Sequence, residues 1–221
     1  MGDAWGAALL DHLAGHVVDG LVLEVDDGTA VPAMAPEWFF RPEPEWEPEE
    51  RALLSMVTDG PVLDLGAGAG RSALHLLQRG LRVAAVESSP GAAEVCRRRG
   101  VQDVRQQDLN DPPADQPWRV ILLLCGNLGL GGSWDGNRRL LGRLAEVSAP
   151  DATLNADSIE YTGRAEIGLR IRYGQTVTPW WRQRNVGAGE VEALVEGTGW
   201  RIEQHRRSPN GFDHYLALRR N

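Results

Sequence analysis

Residues 61–80 read P-V-L-D-L-G-A-G-A-G-R-S-A-L-H-L-L-Q-R-G. Pro61 to Leu65 is a short apolar run bounded by turn residues, the pattern of a buried strand. Gly66, Gly68 and Gly70 follow at alternate positions. Ala73, Leu74, Leu76 and Leu77 then fall at helical spacing, and Gly80 lies where a helix would end. The unit is strand, glycine-rich turn, helix. In a parallel α/β sheet such a turn sits at the carboxyl end of its strand, where ligands bind. The glycines permit positive φ and bring a ligand close to the main chain.

The flanks extend this unit into an alternating α/β chain. Leu81 to Val86 is a second buried strand ending in Glu87, and Pro90 to Arg99 a helix. Val101 to Gln107 is a third strand, followed by Gln107-Asp108-Leu109. Trp118 to Leu124 is a continuous apolar run, as a central strand covered on both faces requires. It ends at Cys125-Gly126-Asn127. Further expectations are a helix over 137–148, a strand over 152–158, a helix over 187–198, and strands over 200–204 and 212–218.

The D-L-G-A-G-A-G run, with Asp64 before Gly66, Gly68 and Gly70, resembles motif I of the class I S-adenosylmethionine-dependent methyltransferases. Gly68-x-Gly70-x-x-Ala73 also fits the dinucleotide fingerprint. Asp64 and the x-x-Asp-Leu pattern at Asp108-Leu109 favour the methyltransferases. The resemblance covers about residues 49–221 and is most specific over 61–109. It implies an α/β fold: a Rossmann-like seven-stranded methyltransferase sheet with an antiparallel last strand. It further implies S-adenosyl-L-methionine as cofactor and S-adenosyl-L-homocysteine as product. The expected cofactor residues are Asp64, Gly66, Ala67, Gly68, Gly70, Glu87, Ser88, Gln107, Asp108, Leu109, Cys125 and Gly126. Glu87 is matched to the ribose hydroxyls and Asp108 to the adenine edge. The Asn/Asp-Pro-Pro-Tyr signature of many amino-methylating members is absent after the fourth strand. That puts methylation of exocyclic base amines in doubt and leaves the acceptor open; the expectation is a small molecule, oxygen ahead of nitrogen, with a place in bacterial secondary metabolism suggested by analogy. A regulatory module binding the same cofactor and a nicotinamide-dependent oxidoreductase are the competing classes. The Tyr-x-x-x-Lys pair of many such oxidoreductases is impossible here, because the chain has no lysine.

Residues 1–48 read as an N-terminal cap on the domain formed by 49–221, the whole being one compact unit. Residues 4–18 form an amphipathic pattern carrying His12 and His16, candidates for a catalytic base together with Asn127 as an acceptor-orienting group. A metal is not expected, since no third ligand accompanies the two histidines at metal-site spacing. Residues 21–33 read as a hairpin around Asp26-Asp27-Gly28. A proline- and glutamate-rich segment follows, opening on Trp38-Phe39-Phe40, and a helix runs from Glu49 to Val57. Residues 160–186 form an inserted β-hairpin with strand 166–173, a turn at Gly174-Gln175 and a returning strand 176–184. Trp38, Phe39, Asn127, Arg172 and Trp180 are the expected acceptor-binding residues.

The chain has 221 residues, 23 basic residues that are all arginine, 31 acidic residues and a net charge of −8. That balance disfavours a nucleic-acid partner, which needs a basic face. Without a lysine, Schiff-base chemistry is excluded. No apolar run is long enough to span a membrane, and the two cysteines suit a reducing compartment, so a cytoplasmic monomer or homodimer is expected.

Overall fold

A computed structural model describes residues 2–161 and 163–221. Its elements in chain order are α1 (Ala4–Leu13), β1 (Val22–Val25), β2 (Ala30–Pro32), α2 (Pro48–Ser55), β3 (Val62–Leu65), α3 (Arg71–Gln78), β4 (Val83–Glu87), α4 (Pro90–Arg99), β5 (Asp103–Gln106) and β6 (Trp118–Leu123). They continue as α5 (Trp134–Glu146), β7 (Ser148–Ile159), β8 (Glu166–Tyr173), β9 (Thr176–Val177), β10 (Trp181–Arg184), α6 (Val191–Val195), β11 (Trp200–Arg207) and β12 (Asp213–Arg220).

The main sheet has seven strands in the order β11-β12-β7-β6-β3-β4-β5. β3 pairs in parallel with both β4 and β6, whereas β12 runs antiparallel between β7 and β11. This is the Rossmann-like methyltransferase topology. Each face of the sheet buries a core. Leu63, Leu65, Ile121 and Leu123 meet Leu140, Leu141 and Leu144 of α5 and Leu194 of α6 on one side. Val62, Leu122 and Ala217 meet Leu53 and Leu54 of α2 and Leu76 of α3 on the other. Because side chains alternate along a strand, an uninterrupted apolar run such as Trp118–Leu123 supplies both layers.

A second, smaller antiparallel sheet has the order β10-β8-β1-β2, with β9 beside β8. It joins the N-terminal hairpin to the inserted hairpin, two segments expected to be separate: Leu23 faces Ile171 and Val25 faces Leu169 across the β1–β8 ladder. Period-two alternation sorts this lid sheet into two faces. Leu23, Val25, Ile167, Leu169 and Ile171 turn toward the main sheet's carboxyl edge. On the outer face Glu24 binds Arg170 and Arg172 at 2.6 and 2.7 Å, and Asp26 binds Arg182 and Arg164.

Several boundaries differ from expectation, and the returning strand expected over 176–184 is split into β9 and β10. α1 ends at Leu13, because Gly15 takes φ +80° and turns the chain, so His16 and Val17 lie beyond the helix. α5 starts at Trp134, where the Ser133 side chain accepts a hydrogen bond from Gly136 N at 3.0 Å; the serine cap was hidden among glycines. β7 starts at Ser148 and passes through Pro150, next to a register irregularity and to Asp151 at φ +57°, where a missing N–H is tolerated. The helix expected over 187–198 is the five-residue α6, preceded by a 3-10 turn.

Candidate active site

A cavity of about 1230 Å³ lies between the carboxyl ends of β3, β4 and β6 and the inner face of the lid sheet. Its floor is the turn after β3. Gly66, Gly68 and Gly70 have φ of +81°, +57° and +75°, conformations in which a Cβ is strained. Gly66 N and Ala67 N both donate to Val86 O, which folds the turn over the end of β4. Gly66, Ala67 and Gly68 line the cavity. Gly70 does not: it directs the chain into α3, packed against Cys96 and Val101.

Glu87 is buried at the end of β4. Its carboxylate accepts hydrogen bonds from Gly68 N at 2.8 Å and Ser89 N at 2.9 Å. Four lone-pair sites less two leaves acceptor capacity facing the cavity. Burial pushes its pKa up, the two N–H groups opposing. Asp64, also buried, has one carboxylate oxygen with no partner. Burial raises it from 3.8 to about 7; the Ala73 N–H opposes this and the Glu87 charge adds to it. Ser88, Asp108 and Leu109 complete this wall. Asp108 is exposed and accepts from Asn110 N at 2.8 Å. Gln107 turns away, its amide donating to Asp111 O at 2.6 Å, and leaves the wall to its neighbours.

The loop after β6 forms the opposite side. Cys125 and Gly126 take φ of +64° and +77°, and a non-glycine residue in that region stores strain that its surroundings must hold. Asp157, at the end of β7, does so by accepting from Cys125 N at 3.0 Å and Gly126 N at 2.6 Å. Burial raises Asp157 to about 7, the Gly126 N–H opposing. Gln183 of the lid donates to Gly126 O at 2.8 Å. Asn127 lines the cavity, but its amide nitrogen donates to Leu65 O and Gly66 O at 3.0 and 3.1 Å. It ties the two loops together.

Several expected residues sit elsewhere. His12 packs on the Phe40 ring, 4.5 Å between centroids, and faces Glu37. His16 is exposed beside Asp11. Neither lines the cavity, and the base role is corrected accordingly: His12 lies on the inner face of α1, which packs on other protein segments, and His16 lies beyond the end of the helix. Trp38 covers the guanidinium of Arg71 at 3.8 Å instead of an acceptor. Arg172 is bound to Glu24 on the outer face, the consequence of its odd register relative to Ile171. Phe39 does line the cavity, edge-on to Trp5 at 4.8 Å, and Trp180 stands at its rim with Arg170 over its ring at 4.6 Å.

Four further residues were not anticipated: Arg71, Asp157, Gln183 and Asp3. Arg71 is buried, bound to Glu50 at 2.5 Å and enclosed by Trp38 and Trp46. Its only sequence signal was its place directly after the glycines. Asp3 accepts from Gly6 N, Gly91 N and the Ser89 hydroxyl, and so fastens α1 to α4 beside the cavity. Among the described residues no group of three or more His, Cys, Asp or Glu side chains is placed to hold a metal, and no helix is long and apolar enough to cross a membrane.

The acidic floor with an unpaired buried carboxylate oxygen, beside a positive-φ glycine turn, fits a cationic nucleoside better than a pyrophosphate. Sheet order, floor and wall together are similar to those of the class I S-adenosylmethionine-dependent methyltransferases. Residues 62–151 match the family model described as methyltransferase domain. A methyltransferase from Bacteroides fragilis, solved with S-adenosyl-L-homocysteine, has 25% sequence identity and a TM-score of 0.86; the alignment covers 98% of this chain and 94% of that one. CcbJ methyltransferase from Streptomyces caelestis shares the fold at 16% identity and TM-score 0.61, over 80% and 94% of the two chains. The 1,6-didemethyltoxoflavin-N1-methyltransferase of Burkholderia thailandensis does so at 21% and 0.55, over 79% of each. A comparison with curated protein sequences found no match.

Proposed function

We propose that the chain transfers the methyl group of S-adenosylmethionine to a hydroxyl oxygen of a small, largely apolar acceptor. The observation that carries this reading is the division of one cavity into an acidic floor and an apolar roof. When bound, the cofactor supplies an electrophilic methyl on a sulfonium. Glu87 accepts from the two ribose hydroxyls with its remaining lone pairs. Asp108 and Leu109 hold the adenine, and the Gly66–Gly68 turn holds the amino-acid end. Asn127 and Asp157 fix the two loops between which the methyl is presented. Such alignment alone supplies a large part of a displacement rate.

The acceptor lies under Phe39, Trp180 and Trp181, whose rings offer flat apolar contact and exclude water. A macromolecular acceptor is disfavoured because the lid sheet roofs the cavity, and a nucleic acid also by the net charge of −8. Arg170, Arg172 and Arg182 of the lid sheet are bound to Glu24 and Asp26, which argues for an uncharged acceptor.

Nitrogen is the second reading, favoured by one observation: no histidine lines the cavity among the described residues. A neutral nitrogen can attack before it loses a proton, whereas most hydroxyls need a base. The test is calorimetric titration with S-adenosylmethionine, S-adenosylhomocysteine and NADH. Methyl transfer from labelled cofactor is then measured against panels of phenols, aliphatic alcohols and aromatic amines. Binding of the first two ligands and labelling of a phenol supports the proposal. Labelling confined to amines moves it to the second reading, and NADH binding alone overturns both.

A further inference from the structure

The inner face of the lid sheet is apolar except at one end. Trp181 stands opposite Leu169 and Gln183 opposite Ile167 across the β10–β8 ladder, and Asn185 follows two positions further along the same face. Gln183 and Asn185 both line the cavity. Arg184 and Val186 turn the other way and are buried. The backbone carrying the two amides is held from the far side. Asn185 N donates to Ala165 O at 3.0 Å, Val186 N donates to the Ser158 hydroxyl at 3.1 Å, and Arg184 O accepts from the Asn137 amide at 3.1 Å. The Arg184 guanidinium donates to Asn185 O and to Glu190. The Gln183 amide is fixed as well. Its nitrogen donates to Gly126 O at 2.8 Å and stands 2.5 Å from where a Cβ on Gly129 would be. A carbonyl accepts only from the nitrogen of a carboxamide, so Oε1 is the atom of Gln183 left for a ligand. The Asn185 side chain has no hydrogen-bond partner among the described residues, which leaves both halves of its amide free.

We infer that Gln183 and Asn185 form the polar recognition edge for the acceptor, and that the acceptor carries a neutral carboxamide or lactam in addition to the hydroxyl that is methylated. The inference rests on the hydroxyl-acceptor reading above. A free carboxamide offers an N–H and a C=O side by side, and its complement is another group that offers both. A carboxylate offers acceptors alone. It also brings a charge to a strand whose arginines are already paired, Arg182 with Asp26 and Arg184 with Glu190. An alkyl group leaves both halves of the Asn185 amide without a partner once water is displaced. The same side chain thus selects against both alternatives. Its backbone is fixed by groups behind the strand, so the amide is presented to a ligand in advance.

The test uses phenols matched in size that differ in one substituent: meta- and para-hydroxybenzamide, the corresponding hydroxybenzoates and the corresponding isopropylphenols. Each is titrated by calorimetry into the full chain saturated with S-adenosylhomocysteine, and each is offered for methyl transfer with labelled S-adenosylmethionine. The wild type is expected to bind a hydroxybenzamide about tenfold more tightly than the isopropylphenol and the hydroxybenzoate of the same substitution, the size of one well-placed neutral hydrogen bond. Gln183→Leu would also release Gly126 O, so Asn185→Leu carries the test. That variant is expected to lose the preference through a fall of about tenfold for the benzamide, while affinities for the isopropylphenol and for S-adenosylhomocysteine stay within about threefold. A preference that survives in Asn185→Leu overturns the assignment. So does an equal loss for benzamide and isopropylphenol, or a loss of S-adenosylhomocysteine binding, either of which marks Asn185 as structural. A wild type that methylates the phenols without preferring the benzamide overturns this inference and leaves the hydroxyl reading standing. A wild type that methylates none of them overturns the hydroxyl reading and this inference with it.

Discussion

Asp64 invites a substitution whose two effects have opposite signs. Its carboxyl is buried at the end of β3, with one oxygen unpaired. Burial raises its pKa from 3.8 to about 7. The folded value therefore lies above the unfolded one. Between these values the folded chain binds more protons than the unfolded chain, so this group's contribution is full below pH 3.8, declines as pH rises, and is exhausted above about 7. A displacement of that size corresponds to about 4 kcal/mol held against the ionised form. Water entering the open cavity and local relaxation reduce it, and about 2 kcal/mol is the working figure. Asp64→Asn keeps the shape and an acceptor oxygen but cannot ionise. In the absence of cofactor it should be more stable than wild type at pH 8 by about 2 kcal/mol, with the difference vanishing near pH 4. The same variant should bind S-adenosylmethionine at least about tenfold more weakly, having lost a negative charge facing a cation.

Urea titrations of both proteins at pH 4.5, 6, 7 and 8, followed by tryptophan fluorescence, measure the first effect; calorimetry at pH 7.5 measures the second. The reasoning is refuted if the stability difference is independent of pH, or if Asp64→Asn is the less stable protein at pH 8. It is equally refuted if the stabilised variant binds cofactor as tightly as wild type, since the strain would then serve no ligand.

Glu87→Ala should weaken S-adenosylhomocysteine binding at least about tenfold and lower the melting temperature, since Gly68 N and Ser89 N both lose their acceptor at about 1–3 kcal/mol each; calorimetry and thermal denaturation test the two parts separately. Gly66→Ala places a Cβ 2.3 Å from Asn127 Nδ2 at φ +81° and should abolish cofactor binding, whereas Asn127→Ala should only weaken it; equal affinities for the two variants would contradict the packing argument. Trp180→Ala should raise the acceptor KM by about tenfold while leaving cofactor affinity unchanged, because the ring stands at the rim away from the glycine turn; a matching loss of cofactor affinity would place Trp180 in the wrong half of the cavity. His214 is fully buried, Nε2 against Val186 O at 2.7 Å and Nδ1 facing His205 at 3.2 Å. Burial lowers both histidines below 6.5, so their contribution is present above pH 6.5 and lost as pH falls. His205→Gln should flatten the acid side of the stability profile between pH 7 and 5; an unaltered slope in urea titrations would exclude the pair as its source.

What was legible in the sequence was local. The glycine turn, its strand and its helix declare themselves within twenty residues, and α4, with proline at its start and Gly100 at φ +108° after its end, has the boundaries that capping chemistry dictates. β8 was readable over its full length, Glu166–Tyr173, because its apolar and charged residues alternate. The direction of that alternation was not readable. Arg172 looked available to an acceptor until Glu24, 148 positions away, was seen opposite it. Arg71 was invisible for the same reason: its partner Glu50 lies 21 residues upstream in a segment whose charges look like an ordinary solvated helix start. His12 and His16 illustrate the converse. A periodic pattern tells which side of a helix is inside, and nothing about whether the inside is a cavity or packed protein.

The lid sheet explains why the half of the cavity around the glycine turn, the proposed cofactor half, was legible as local structure and the half beneath the roof, the proposed acceptor half, was not. The cofactor half is built by consecutive β-turn-α units, so each contact is made near the strand that carries it. The acceptor half exists only once β1 pairs with β8, a ladder joining residues about 145 positions apart. Neither hairpin alone makes an apolar wall. β1 and β2 contribute one short ribbon, and an isolated two-stranded hairpin is at best marginal in water. Together they form a sheet whose inner face is apolar and whose outer face is held by Glu24 and Asp26. α1 then connects this roof to the floor: Gly2 N donates to Val177 O, Tyr173 donates to Asp11, and Asp3 grips Ser89 and Gly91 two and four residues beyond Glu87. Loss of Asp3 should therefore be felt at both ends, in cofactor affinity through the Glu87 loop and in acceptor KM through β8 and β9. Asp3→Ala separates this coupling from a purely local cap, because a local cap would alter the stability of α1 and leave both binding constants where they were.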